Sequence, residues 1–386
     1  MSYYFWQNEN WPQFTWDIEA VIFPLAKLQQ SQGQLAGQMK AMGFNTQSQG
    51  AIDRFTSEIK NSHDIEGANI SAYSVRSSVA RKLGLENIIL ANGQSLDKPR
   101  HHIDAIVDVI FDAVQNCNAP LTHERLFFWN RQLFGGSNQG FNGLYTVDVG
   151  RYRTDAFGPM RIVSGSMKHE NVNYIAPPAS ALQNEMSIFL DWFNTPAENQ
   201  NLNNVIKSAI AHLYFVSIHP FEDGNGRLGR AIADMALCKN QEETGYPYPI
   251  DHLYSMSAQL CKERKDYYAH LAEAQSGNLN ITNWILWYLG CMNRAVESVL
   301  DELAQVRRRQ EFWHQIENLP TAINERQRKI LDLCLKGFEG KLTSSKYAKI
   351  CKCSQDTASR DLEKLTALGI IAKSDAGGRS TSYYLP

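Results

Sequence analysis

Apolar residues recur along most of this chain at intervals of three and four, the spacing that lays them on one face of a helix. Ile52, Phe55 and Ile59 form one such stripe, Ile103, Ile106, Val107 and Ile110 a second, and Ile206, Ile210, Leu213 and Val216 a third. A further helical pattern runs from Ile281 to about Arg309 and leads to Asn318-Leu319-Pro320, a natural connection between domains. The exception lies between Gly150 and Pro178. There, β-compatible segments at 160–165 and 172–176 flank a polar turn and stop at Pro177-Pro178, which predicts a hairpin set into a helical domain.

The last part of the chain changes rhythm. Helical patterns at 325–335, 344–350 and 354–365 precede Ile370-Ile371-Ala372, a Gly377-Gly378 turn and Ser382-Tyr383-Tyr384-Leu385. Three helices and a short hairpin make a winged-helix layout. Ser354 is placed to cap the third helix, which turns Gln355, Asp356, Ser359 and Arg360 outward, and Arg379 falls at the wing tip. No internal repeat or low-complexity tract is present, only Asn/Gln-rich loops at 137–142 and 199–204.

Length and composition narrow the class. The 386 residues exceed what one core organises, and 43% hydrophobic with 20% charged residues is ordinary for a globular protein. No apolar run approaches a membrane span, and the N-terminus shows no signal-peptide pattern, so a cytoplasmic protein is expected. Seven cysteines, only two of them close together, fit neither a disulfide framework nor a paired-Cys zinc site. The net charge of −2 hides an asymmetry, since residues 321–386 carry 12 Lys+Arg against 7 Asp+Glu. A basic tail follows an acidic body.

The chemistry gathers in 219–230, His-Pro-Phe-Glu-Asp-Gly-Asn-Gly-Arg-Leu-Gly-Arg. Gly224-Asn225-Gly226 directly precedes the helical pattern Leu228, Ala231, Ile232 and Met235, so the loop brings backbone N–H groups to a helix start, where polyphosphate binds well. Asp223 at its edge suits magnesium, which takes one or two protein carboxylates alongside phosphate oxygens. Arg227 and Arg230, three apart, share a helical face and can grip phosphate in fork geometry. His219 enters the same loop, and a neutral imidazole can take a proton from an attacking hydroxyl.

This segment resembles the Fic family signature, His-x-Phe-x-Asp/Glu-Gly-Asn-Gly-Arg-x-x-Arg, at every fixed position. Gly150-Arg151-Tyr152-Arg153, the hairpin through Tyr174-Ile175-Ala176-Pro177-Pro178, and Arg264-Lys265-Asp266-Tyr267-Tyr268 also resemble parts of the family's core, in the same order. The resemblance covers roughly 100–295. It implies a protein adenylyltransferase: His219 as base, Asp223 as magnesium ligand, Phe221 as loop anchor, and Gly224, Asn225, Gly226, Arg227, Leu228, Gly229 and Arg230 around the ATP phosphates. Tyr267, Tyr268 and Gln275 would then line the adenosine pocket, and the flap at 160–165 would hold the target protein by strand addition. Relatives that phosphorylate with reversed nucleotide carry Lys where Gly226 stands; others transfer UMP or phosphocholine.

Ser62-His63-Asp64-Ile65-Glu66-Gly67 resembles the family's inhibitory motif, Ser/Thr-x-x-x-Glu-Gly/Asn, with Ser62 and Glu66 on one helical face and Gly67 suited to ending the helix. Glu66 would pair with Arg230 and deny it to the γ-phosphate; in some relatives the matching Glu supports removal of AMP instead. The expected organisation is an N-terminal helical domain at 1–95, a Fic core at 96–295, a helical linker at 296–320 and a winged helix at 321–386. DNA through 354–365 and a homodimer are candidate partners. The competing function is a nucleotide-sensing, DNA-binding transcriptional regulator.

Overall fold

The computed structural model describes residues 4–42, 44–91, 93–135, 146–156, 158–166, 169–239, 253–319, 321–338, 340–374 and 381–386, with backbone alone at 44–46, 164–166 and 169–171. The Gly377-Gly378 turn, Arg379 and the loop at 137–142 lie outside these residues. Helices dominate: α1 (Ile18–Lys40), α2 (Phe44–Ile65), α3 (Ala72–Leu83), α4 (Glu86–Ala91), α5 (His101–Gln115), α6 (His123–Leu133), α7 (Leu182–Asn194), α8 (Asn204–Ile218), α9 (Asn225–Cys238), α10 (Met256–Lys262), α11 (Arg264–Gln275) and α12 (Thr282–Glu317). Between α6 and α7, strands β1 (Arg161–Ser166) and β2 (His169–Ile175) pair antiparallel, with an irregularity between Ile162 and Val163. Then follow α13 (Glu325–Leu335), α14 (Ser344–Cys351), α15 (Gln355–Ala367), β3 (Ala372–Lys373) and β4 (Tyr383–Tyr384). The fold is mainly α.

Two compact units, 1–300 and 301–386, divide the chain, and their boundary falls inside α12. The first unit is built around α8. Its stripe predicts one buried face, yet every residue from Val205 to Ile218 is buried, because the core shared with α2, α3, α5, α6, α7 and α9 takes one side while Trp284 and Tyr288 of α12 meet Ala209 and Ser208 on another. α9 lies so close to α8 that a side chain at Gly229 would stand 2.7 Å from Val216 Cγ1 and 3.3 Å from His212 Nδ1. That approach requires glycine.

The second unit packs its own core from Ile330, Leu331, Tyr347, Leu362 and Leu365, with Ile316 from the end of α12. α12 runs eight residues past Arg309 because Phe312, Trp313 and Ile316 join this core. Asp361, buried under α15, accepts hydrogen bonds from Asn324 Nδ2, Arg326 Nε and Tyr347 Oη, each at 2.9 Å, and so ties the unit's helices together. Ser354 caps α15 through Thr357 N, and β3 pairs antiparallel with β4. All seven cysteines are free, and among the described residues no helix is long and apolar enough to cross a membrane.

Candidate active site

The loop between α8 and α9 begins where α8 stops. His219 closes α8 in the left-handed region, with φ 52° and ψ 57°, and Gly224 opens α9 with φ 86°. A non-glycine residue held in that region costs energy and persists only where its surroundings fix it. Here they do. Arg153, 3% exposed, donates from Nε to His219 O at 2.7 Å and from Nη2 to Pro177 O at 2.5 Å, while its own N–H bonds Pro220 O at 2.9 Å. Asp155 balances the buried guanidinium at 2.8 Å.

The rest of the loop is pinned with similar care for its backbone. Asn225 closes it on itself, its Oδ1 accepting from Phe221 N at 3.0 Å and its Nδ2 donating to Phe221 O at 2.8 Å. Phe221 is fully buried among the rings of Phe127, Tyr152 and Phe215. From outside, Asn130 on α6 reaches Asp223 O at 3.2 Å and receives Gly150 N at 2.7 Å, and Glu222 accepts Asp148 N at 2.8 Å. The loop is rigid before any ligand arrives.

His219 Nδ1 lies 3.1 Å from Val216 O, a carbonyl that can only accept, so Nδ1 carries the proton and Nε2 the lone pair. Loss of hydration lowers the His219 pKa to about 4, against the opposing pull of that bond to Val216, and keeps the ring neutral. Asp223 Oδ1 accepts Gly224 N at 2.5 Å and Arg227 Nη2 at 3.2 Å, which leaves Oδ2 for another partner. Among the described residues no group of three or more His, Cys, Asp and Glu side chains could hold a metal.

Arg230 is 4% exposed and faces the end of α2. Its Nε donates to Ser62 Oγ at 2.9 Å, and its Nη2 donates to Ser62 O at 2.7 Å and Glu66 Oε1 at 2.8 Å. Gly67, with φ 76°, and the bond from Ala68 N to His63 O end the helix so that Glu66 projects from its last turn. A side chain at Gly226 would stand 2.1 Å from Glu66 Oε1, so the carboxylate rests directly on the first turn of α9. Burial pushes the Glu66 pKa up, but the charge and hydrogen bond of Arg230, with Arg227, outweigh it and hold the group ionised. An anion already sits at the helix N-terminus.

The remaining residues expected around nucleotide are placed differently. Leu228 and Gly229 face the core against α8. Tyr267 is buried with its hydroxyl 2.9 Å from His212 Nε2, and Gln275 donates to Ser217 Oγ at 2.9 Å. Tyr268 is 37% exposed, and its hydroxyl is 3.5 Å from Ile65 O, one residue from Glu66. The sequence reading quoted Arg153 and Glu222 inside family-like segments without giving either a role, and passed over Asn130; their partners are backbone groups, which leave no mark in the sequence.

A sequence profile described as the Fic/DOC family matches residues 120–237, and one described as a domain of unknown function, DUF4172, matches residues 4–85. The chain is similar to the protein adenylyltransferase Fic of Nematostella vectensis, 24% identical over 250 residues, or 64% of this chain and 49% of that protein. The protein adenylyltransferase Fic of Culex quinquefasciatus is 26% identical over 251 residues, 64% and 42% of the two chains. The chain thus spans about half the length of these relatives, or less. A crystal structure of a Fic family protein from Desulfovibrio desulfuricans G20 covers 97% of this chain with 98% of its own, at TM-score 0.52 and 20% identity, and shares its fold. The part of the chain that carries the loop and α9, residues 120–237, is thus a Fic/DOC domain.

Proposed function

We propose that this chain transfers AMP from magnesium-bound ATP to a Tyr, Thr or Ser hydroxyl of a protein, and that Glu66 holds the reaction back. The observation that carries the reading is the tautomer of His219. With Nδ1–H committed to Val216 O, Nε2 offers its lone pair to the one proton the reaction must remove, that of the attacking hydroxyl. The names of the relatives support the choice of ATP and AMP.

In this reading the first amides of α9 and the Arg227 guanidinium hold phosphate oxygens, and Arg230 takes the terminal phosphate once Glu66 withdraws. The hydroxyl oxygen attacks the α-phosphorus, its proton passes to His219 Nε2, and diphosphate leaves. Magnesium held by Asp223 would neutralise charge on the departing oxygens. The flap at 160–165 would carry the target as an added strand. In the second unit the exposed residues of α15 mix Asp356 and Glu363 with Arg360, while exposed Lys346 and Lys349 lie on α14. A helix of balanced charge gives the alternative, a DNA-binding regulator, less support than an intact base gives the enzyme.

The test is incubation of wild type, Glu66→Gly and Glu66→Gly/His219→Ala with magnesium and ATP labelled on the α-phosphate, with and without cell extract, followed by intact-mass analysis. Label and an AMP-sized mass gain on Glu66→Gly, absent from the double variant, is the expected result. No label in any sample, despite measurable ATP binding, would sink the proposal in favour of nucleotide sensing.

A further inference from the structure

Residues 4–17, before α1, form an arm of one 3-10 turn at Phe5–Gln7 followed by further turns, and its contacts lie away from Glu66. Thr15 N donates to Leu279 O at 2.9 Å and Ile281 N to Thr15 O at 2.8 Å, while Tyr4 bridges to Ser276, so the arm is stitched along the segment that follows α11. At its other edge it meets the hairpin. Trp6 Nε1 donates to Ile175 O at 2.7 Å, and the rings of Tyr4 and Tyr174 meet edge to face at 5.1 Å. Trp11 Nε1 donates to Glu185 Oε2 on α7 at 2.8 Å, which fixes the arm's middle.

Tyr174 is fully buried, and its hydroxyl donates to Ser217 O at 3.0 Å, two residues before His219. Gln275 holds the same serine through its Oγ. A continuous set of contacts therefore runs from the arm through β2 to the end of α8, where the base stands. Arg153 closes the loop from the other side by bonding both Pro177 O and His219 O. The arm fills the outer side of the root of β2, so the strand left for an added peptide is β1.

We infer that residues 4–17 are a positioning element for the target: the arm fixes the root of β2 against α8 and so sets where a strand added to β1 lies relative to His219, with Trp6 as its positioning residue. This rests on the transfer reading above for its catalytic consequence. It gives the N-terminal segment two opposed tasks, since Glu66 withholds the phosphate site while the arm prepares the target site. The guanidinium of Arg153 and the indole of Trp6 hold carbonyls two residues apart on one short stretch, those of Pro177 and Ile175.

The experiment is Trp6→Phe in the Glu66→Gly protein, which removes the N–H and keeps an aromatic ring. Three measurements are made: amide hydrogen exchange, calorimetric binding of α,β-methylene ATP with magnesium, and self-labelling from α-labelled ATP. Loss of one hydrogen bond should speed exchange across 161–175 by roughly 3- to 10-fold, with 204–238 unchanged. Nucleotide affinity should stay within about twofold while the labelling rate falls by a similar roughly 3- to 10-fold. Unchanged exchange in the hairpin overturns the brace, and faster exchange with full labelling overturns its catalytic role. Faster exchange everywhere with a lowered Tm would make Trp6 an ordinary packing residue and equally overturn it. A Glu66→Gly parent that takes no label refutes adenylyl transfer, and the exchange data still decide whether the arm holds the flap.

Discussion

Replacing Glu66 by Gln should make the protein less stable and yet bind nucleotide more tightly. The amide keeps the size of the side chain and an oxygen for Arg230 Nη2, so the change removes charge and little else. A hydrogen bond between charged partners contributes about 1.5–3 kcal/mol and a neutral one about 0.5–1.5, so the variant should lose about 1–2 kcal/mol. The larger penalty for breaking a fully buried pair does not apply, because 29% of the Glu66 side chain is exposed and Ser62 still offers Arg230 two acceptors. The same energy no longer opposes phosphate entry, which converts to nucleotide affinity higher by roughly 5- to 30-fold. Scanning calorimetry without ligand should show Tm lower by a few °C. Titration with α,β-methylene ATP and magnesium should show the tighter binding. Loss of stability without gain in affinity would mean that Glu66 merely packs, and the argument for competition would fail.

Two further predictions concern other parts of the molecule. Burial, assisted by Arg227, lowers His63 to about 3, while burial lowers His212 and His219 to about 4 each, against about 6.5 when unfolded. The unfolded chain then binds more protons between pH 6.5 and 4, so stability should fall as pH drops through that window, and His63→Gln should flatten the slope; an identical slope counts against the assignment. Asp361→Ala strips Arg326, Asn324 and Tyr347 of a shared acceptor and should destabilise the second unit by about 2–3 kcal/mol, less than a fully buried pair because Arg326 is 42% exposed. Trp313 fluorescence during urea unfolding reads this, and an unchanged midpoint refutes it.

What sequence could show depended on the range of the interaction. The residues from His219 to Arg230 occupy one short stretch, so the loop and the start of α9 were visible as a motif in the sequence. Helix existence was equally local, but helix surroundings were not. The stripe in α8 reads as amphipathic although α8 is buried all round, and the end of α12, within the stretch read as a helical linker, belongs through Ile316 to a core formed by residues further on. Glu66 and Arg230 lie 164 residues apart, and only resemblance to a family motif linked them. Trp6 and Ile175 are 169 apart and had no such aid. Contacts to backbone carbonyls, like those of Arg153 and Trp6, put no requirement on the identity of the partner residue, so no pattern in the chain announces them.

If Glu66 restrains the proposed transfer, its seat makes that control hard to separate from the chemistry. Its carboxylate occupies the space beside Gly226 where any Cβ would be 2.1 Å away, and a phosphate oxygen bound by the same turn of helix needs that space too. On the proposed reading Arg230 likewise serves Glu66 or a phosphate in turn. On that reading a substitution at 226 or 230 should disturb both the restrained and the working state. Ser62 differs, because it touches Arg230 only from the α2 side, through Oγ at 2.9 Å and O at 2.7 Å. On the proposed reading, control should therefore be tunable at Ser62 or at Glu66 itself, on α2, while the loop from His219 to Arg230 keeps its form.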